Sequence, residues 1–228
     1  PLQDGGSLRI RGSVDRVDVL EQDGQQFVRV VDYKSGAKAF RLADIVNGLN
    51  LQMFLYLFNV CADGSNPYAG VPAGVLYMHA ARSVMTVETK RSAEQDIACQ
   101  EDKAFGMNGI VITNPDCDIP AAMEHDLAGK YIPVRLKKSG VGGSLASLEQ
   151  LGLLQRKIEA LVADMGNALQ NGQIGQHPVQ AKDHDKTCEY CDFASVCAFK
   201  KSVTPRTYDD QTDSAVLAEL EKEGESHA

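Results

Sequence analysis

The 228-residue sequence contains no apolar run approaching the roughly 18 residues that a membrane-crossing helix needs. No secretory signal pattern precedes its first strand-like segment. It lacks G-x-x-x-x-G-K-S/T, so the phosphate loop of a nucleotide-driven motor is not within it. It also lacks an excess of base: 23 Lys and Arg stand against 31 Asp and Glu, a net charge of −8. From Pro205 onward the balance is −5, which leaves −3 for the body. An autonomous nucleic-acid binder usually shows a strong basic excess, so a strand handled by this chain would be delivered by a partner. No internal repeat is visible. Position 1 is Pro rather than Met and strand-like sequence begins almost at once, which reads as a piece cut from a longer protein.

What is present suits one domain with a sizeable core. The hydrophobic fraction of 43% and charged fraction of 24% are ordinary for a globular chain. Residues 7–19 alternate and end in β-branched residues, predicting a strand. Asp23-Gly24 predicts a hairpin turn. Phe27–Lys34 is apolar enough at its centre to be a central strand. The helical spacing of Leu42, Ile45, Val46, Leu49, Met53 and Leu57 predicts a helix over 41–61. A loop over 63–72, strands over 73–80 and 84–89, and helices over 92–106 and 120–128 follow. Residues 137–147 are Gly-rich and read as mobile. A long helix over 147–171 is capped by Ser147, with Glu149 and Gln150 in its first turn. Its stripe Leu151, Leu154, Ile158, Leu161 and Leu169 is core packing. The acidic tail after Pro205 reads as marginal, a short amphipathic helix at best. The order predicts an α/β fold with a small mixed sheet flanked by helices.

The candidate chemistry lies at the first two strands. Residues two apart in a strand share a face, so Asp32 and Lys34 point one way and Tyr33 the other. Asp15 on the neighbouring strand reaches the same spot, and Gly12 permits close approach there. Mg²⁺ takes oxygen ligands, often one or two carboxylates plus waters and phosphate oxygens. Asp15 and Asp32, with the Tyr33 carbonyl, suit that ion (or Mn²⁺), which acidifies a water and neutralises phosphate charge. Lys34 would orient that water or stabilise developing charge. The plainer alternative makes Asp15 and Asp32 surface acids paired with Arg16 and Lys34. Asp18 reads as a solvated or salt-bridged acid. Gln52 and Tyr56, four apart, share a helix face and can touch a phosphate or base; the alternative puts Tyr56 in the core. His79 reads as a strand residue rather than a ligand.

Six cysteines are present, and three crowd into Cys188, Cys191 and Cys197 as C-x2-C-x5-C. This favours a metal over disulfides, but a closed site needs a fourth ligand. Zinc would take His177 or His184; an iron–sulfur cluster would take another cysteine. Cys61, Cys99 and Cys117 read as plain thiols.

The runs GSVDRVD from Gly12, VDYKSG from Val31 and QMFLY from Gln52 together resemble the RecB-type branch of the PD-(D/E)xK nucleases. That family shows G-x-I/V-D-R-x-D, V/L-D-Y-K-S/T-G and Q-x-x-x-Y. The resemblance implies a restriction-endonuclease-like core, with metal and catalytic acids at Asp15 and Asp32, the catalytic lysine at Lys34 and substrate contacts at Gln52 and Tyr56. It also implies a structural 4Fe–4S cluster on Cys188, Cys191 and Cys197, whose fourth cysteine would lie upstream of the nuclease motifs. No cysteine precedes Asp15 here, nor does the His or Glu that an upstream helix of the family can add to the active site.

AGVLYMHAAR from Ala73 and the order of Gly-rich loop, long helix, His177-Pro-Val and cysteines resemble the C-terminal nuclease domain of the AddB family. On that reading residues 1–204 form the nuclease domain, with the cysteine segment at 184–199, and 205–228 form an acidic tail. It implies a bacterial cytoplasmic DNA exonuclease acting in double-strand-break repair and recombination. The partners would be single-stranded ends of unwound DNA and an AddA-like helicase–nuclease subunit. Two other readings stand beside it: a stand-alone iron–sulfur exonuclease of the same superfamily, and a non-catalytic scaffold module of the same fold.

Overall fold

The computed structural model describes residues 2–36, 38–62, 64–80, 105–173, 175–181, 188, 191–197 and 205–226. The chain divides into two compact units, one of Gly12–Phe40 with Gln52–Gly152, the other of Pro1–Arg11, Arg41–Leu51 and Leu153–Ala228.

The first unit is built on a sheet. Strands β1 (Arg16–Gln22) and β2 (Gln25–Lys34) form an antiparallel hairpin in which Gln22 faces Gln25. The two turn residues have φ 51° at Asp23 and φ 78° at Gly24. A two-residue hairpin of this twist needs positive φ at both positions, which Asp-Gly supplies with little strain. Helix α2 (Gln52–Ala62) lies in the crossover to β3 (Val71–His79), which runs parallel to β2. Strand β4 (Asn108–Thr113) is antiparallel to β3, and β7 (Leu145–Ser147) is parallel to β4. The order β1-β2-β3-β4-β7 makes a mixed five-stranded sheet, as expected from the order of elements.

Strand β2 is interior, and both its faces are covered, which explains its nearly continuous apolar centre. Phe27 and Val31 join a cluster with Leu76, Val111, Ile119 and Ile132. Val28 and Val30, on the alternate face, are fully buried. Helix α2 packs on β2 and β3 and buries Met53, Phe54, Leu57 and Val60. Burial of each such side chain is worth about 1.5–3 kcal/mol, so the strand carrying Asp32 is held from both sides.

Several expectations change. Strand β1 begins at Arg16, so Asp15 is the residue before the strand and not within it; residues 7–14 have no regular structure. The helix expected over 41–61 is two: α1 (Leu42–Val46) and α2. Between them Gly48 has φ 88° and Asn50 φ 56°, and the N–H groups of Gly48 and Leu49 bond back to Ile45 and Asp44. A left-handed glycine after the last turn ends a helix in this way. Strand β3 starts two residues before Ala73, with Pro72 beside a register shift opposite Val28 and Arg29, where a missing N–H is tolerated. Helix α3 (Ile119–Met123) is shorter than the helix expected over 120–128; Asp118 caps it by accepting from the Ala121 N–H at 3.2 Å. Strand β4 is not anticipated by the sequence pattern. The Gly-rich stretch is no mobile linker: β5 (Val134–Lys137) and β6 (Gly140–Gly143) pair as a hairpin and lead into β7. The strand expected over 84–89 and most of the helix over 92–106 lie outside the described residues.

Helix α4 (Leu148–Gln170) opens as expected. The Ser147 hydroxyl accepts from the Gln150 N–H at 3.1 Å, and the Gln150 side-chain oxygen accepts from the Ser147 N–H at 2.8 Å. This reciprocal capping box satisfies two orphan donors of the first turn.

The second unit contains α1, α4 from Leu153, the parallel pair β8 (Val179–Ala181) and β9 (Arg206–Tyr208), α5 (Ala194–Cys197) and α6 (Asp213–Ser226). Asp44, 4% exposed, accepts from the Tyr208 hydroxyl at 2.6 Å, from Arg41 at 3.1 Å and from Asn50 at 3.1 Å. Asp213 accepts from the Leu42 N–H at 2.8 Å. The tail is therefore more than marginal: its 14-residue helix buries Val216, Leu217 and Leu220. No helix among the described residues is long and apolar enough to cross a membrane.

Candidate active site

Strand β2 delivers Asp32 and Lys34 to one face and Tyr33 to the other, as alternation requires. Asp32 is 5% exposed, whereas Tyr33 is 43% exposed. The Lys34 ammonium forms an ion pair with Asp32 Oδ2. It also lies 5.7 Å from the centroid of the Tyr77 ring. The parallel register explains this: Asp32 sits opposite Tyr77 and Lys34 opposite His79, so all four side chains leave the same side of the sheet. The Ala80 N–H closes the strand end on the Lys34 carbonyl at 2.8 Å.

Asp15 is brought in by its backbone neighbour. Its Oδ2 accepts from the Tyr33 N–H at 3.1 Å, at the peptide that joins Asp32 to Tyr33. Of the plainer alternative, the Asp32–Lys34 pair forms, whereas Asp15 does not pair with Arg16 among the described residues. Arg16 instead bonds Asp18 at 2.7 Å, and Arg29 bonds the other oxygen of Asp18 at 2.7 Å. Burial pushes the Asp18 carboxyl up, but the hydrogen bonds and charges of Arg16 and Arg29 together outweigh it and hold it below the usual carboxylate range. Asp18 is the salt-bridged acid the sequence suggested.

Gln52 opens α2, and its Nε2 donates to the Tyr56 hydroxyl at 2.9 Å. Gly12 lies against that tyrosine: a Cβ there would meet the ring and hydroxyl at 2.7 Å. The close approach permitted at Gly12 is thus taken by Tyr56, which is half-buried rather than in the core.

The donor set at Asp15 and Asp32 fits a hard divalent cation. Asp32 Oδ2 is buried, and its partner among the described residues is the Lys34 ammonium. The ammonium shows that this buried carboxylate attracts a cation, and its second oxygen together with Asp15 supplies the hard oxygen donors that Mg²⁺ takes. Two carboxylates suffice for Mg²⁺, which keeps several of its waters.

The cysteines are different. Cys188, Cys191 and Cys197 are free thiols, in a turn where the Cys191 N–H reaches the Cys188 carbonyl at 3.3 Å and at the end of α5. Among the described residues no three Cys, His, Asp or Glu side chains converge as a metal-binding group. The described thiols therefore do not by themselves close a metal centre. Cys61 and Cys117 are free thiols too, and burial pushes the Cys61 thiol up to about 11. Cys99 and His184 lie outside the described residues.

Tyr77 is a residue at the site that the sequence pattern does not single out, while His79 is the strand residue it suggested. Tyr77 is the ring beneath Lys34, and His79 has a buried Nδ1 without a hydrogen bond among the described residues. The strand holding both was legible, but its parallel alignment with β2 is a long-range fact that no local pattern carries.

Comparison with known proteins follows the same lines. The chain is 32% identical over 235 residues to the B subunit of the ATP-dependent helicase/deoxyribonuclease of Bacillus cereus, a match covering 97% of this chain and 20% of that protein. The protein of the same name from Clostridium acetobutylicum is 31% identical over 232 residues, covering 97% and 20%. That from Oceanobacillus iheyensis is 32% identical over 238 residues, covering 99% and 20%. The chain thus spans about a fifth of the length of these relatives. The sequence profile of the PD-(D/E)XK nuclease superfamily matches residues 2–198, most of the chain, and the chain belongs to that superfamily.

Proposed function

We propose that this chain is the nuclease domain of a helicase–deoxyribonuclease B subunit, a metal-dependent deoxyribonuclease that hydrolyses phosphodiester bonds of an unwound DNA strand. The observation that carries the reading is the buried Asp32 carboxylate. It is paired through Oδ2 with Lys34 on its own strand, and has Asp15 fastened to the next peptide. The names of the relatives support the substrate and the partner. We extend these to exonucleolytic processing of double-strand breaks during recombination in the bacterial cytoplasm, with an AddA-like helicase–nuclease subunit supplying the strand.

Asp15, Asp32 and the Tyr33 carbonyl would hold Mg²⁺ or Mn²⁺. Such an ion supplies charge neutralisation at the phosphate and a more acidic water. The chain's own groups do the rest. Lys34 presents an ammonium to the phosphoryl oxygens, where negative charge grows as water oxygen bonds to phosphorus and the ester P–O bond breaks. The leaving oxygen departs with the proton that the attacking water gives up. Tyr77 and Asp32 hold the ammonium in place. Gln52 and Tyr56, already bonded to each other, offer an amide and a hydroxyl to the strand beside the scissile bond. The 4Fe–4S reading of Cys188, Cys191 and Cys197 rests on their spacing and the family resemblance, and has no part in this chemistry.

The test is Mg²⁺-dependent degradation of end-labelled single-stranded DNA by the chain, run beside Asp32→Ala and Lys34→Ala. Each substitution is expected to lower the rate at least about 100-fold. Cleavage that survives both would remove the site from these residues. Absence of cleavage with metal present, with or without the helicase partner, would favour the scaffold reading.

A further inference from the structure

Residues 127–148 carry four basic side chains, Lys130, Arg135, Lys137 and Lys138, and no acid, in a chain whose net charge is −8. The structure builds much of this stretch into an arm, the β5–β6 hairpin. Its register pairs Arg135 with Gly142, Leu136 with Val141 and Lys137 with Gly140. Paired residues share a face. One face therefore presents Arg135 and Lys137 opposite two glycines, and the other presents Leu136 and Val141. The arm is exposed on both: Leu136 is 64% exposed and Val141 44%. Among the described residues, no carboxylate pairs with Arg135, Lys137 or Lys138.

The base of the arm is firmly held. The buried Glu124 carboxylate accepts from the N–H groups of Lys130, Tyr131 and Ile132 at 2.9, 2.9 and 3.0 Å. The Leu136 N–H bonds the Leu127 carbonyl at 2.8 Å, and the Ser144 N–H bonds the Pro133 carbonyl at 2.9 Å. Ile132 and Val134 are buried in the core cluster. Beside this base Tyr131 is 43% exposed, with the Lys130 ammonium 5.2 Å from its ring centroid.

We propose that this arm binds the backbone of a single-stranded nucleic acid, with Arg135, Lys137 and Lys138 on successive phosphates and Tyr131 as a stacking surface. Cationic side chains without an acid partner, on a rigid ribbon, fit a polyanion. Gly140 and Gly142 add no side chains of their own on that face, and the Lys137 stem lies across Gly142. Cationic grooves with an accessible aromatic ring are how proteins hold single strands without reading their sequence. Such contacts group three of the chain's 23 Lys and Arg in one place, despite its net charge of −8. The inference rests on the nuclease reading for the identity of the polyanion.

The experiment measures fluorescence anisotropy of labelled oligothymidylate with the chain in EDTA, across a salt series. Two triple variants are compared: Arg135→Gln/Lys137→Gln/Lys138→Gln, and the charge-conserving Arg135→Lys/Lys137→Arg/Lys138→Arg. Three lost phosphate contacts are expected to weaken binding at least about tenfold and flatten the log–log salt slope by about 2. The charge-conserving variant is expected to bind like the wild type, which separates lost charge from lost folding. Wild-type affinity and slope in the glutamine variant would overturn the proposal, as would a wild type that does not bind. Equal displacement by polyglutamate would overturn it in favour of an acidic protein surface. Asp32→Ala, measured alongside, separates the two readings. Cleavage lost in Asp32→Ala with binding unchanged in the glutamine variant would leave the nuclease standing without the arm. Binding lost in the glutamine variant, with cleavage indifferent to Asp32, would leave the arm standing without the site.

Discussion

The ammonium of Lys34 is held between the Asp32 carboxylate and the face of Tyr77, with 5.7 Å from nitrogen to ring centroid. Tyr77 sits opposite Asp32 on the parallel neighbour, so two strands distant in sequence fix one charge. A cation–π contact of this kind is worth about 0.5–2 kcal/mol. Under the nuclease reading, Tyr77→Phe is expected to keep cleavage close to wild type. Tyr77→Leu is expected to lower it several-fold, through a displaced Lys34. Cleavage rates of the two variants, beside their urea midpoints, check this.

Asp15 accepts the Tyr33 N–H, so its substitution separates structure from charge. Asp15→Asn keeps an acceptor and is expected to fold with stability within about 0.5 kcal/mol of wild type while losing divalent-ion affinity. Asp15→Ala is expected to lose both the affinity and about 1 kcal/mol of stability. Calorimetric titration with Mn²⁺ and urea unfolding measure the two quantities on the same samples. Equal Mn²⁺ binding in wild type and Asp15→Asn would remove Asp15 from the metal set.

Glu124 makes stability depend on acid. Burial pushes its carboxyl up, but the backbone N–H groups of Lys130, Tyr131 and Ile132 outweigh burial and hold it below the usual range. A group whose folded pKa is depressed contributes stability that is present above its unfolded value, about 4.3, and is lost as pH falls through the folded value. Unfolding free energy is therefore expected to fall on acidification below about pH 4. Glu124→Gln is expected to flatten part of that fall and to cost about 1–3 kcal/mol at neutral pH, since its amide faces donors. Urea midpoints at neutral and acid pH test both statements.

Tyr208 donates to the buried Asp44, and burial together with that contact pushes the phenol well above its ordinary value. Tyr208→Phe removes the donor and leaves Asp44 with Arg41 and Asn50 among the described residues. A loss of about 1–3 kcal/mol is expected. A change within about 0.3 kcal/mol would mean that the segment after Pro205 contributes little to the second unit.

Much of the sheet hairpin and the long helix was readable because their signals are local. Asp23-Gly24 supplies the positive φ values that the turn demands, Asp32-x-Lys34 shares a face by strand alternation, and Ser147 with Gln150 closes a capping box within four residues. Where local signals competed, the reading failed. The apolar period from Leu42 to Leu57 runs through Asn47-Gly48, yet backbone bonds to Asp44 and Ile45 stop the helix there. The glycines after Lys137 suggested mobility, yet cross-strand pairing with Arg135 and Lys137 orders them.

The sequence by itself determined which residues carry charge at the strand end, the face on which Asp32 and Lys34 lie, and the turn and cap that bound their elements. Each depends on φ, ψ and side-chain chemistry within a few residues. Only the tertiary structure decided that Tyr77 and His79 stand beside them, that Asp15 reaches the Tyr33 amide from outside its strand, and that Arg135 and Lys137 stand opposite Gly142 and Gly140 on a hairpin. Those relationships come from strand register and from closure of long loops. Their cost and reward are settled by packing across the whole sheet rather than by any short segment.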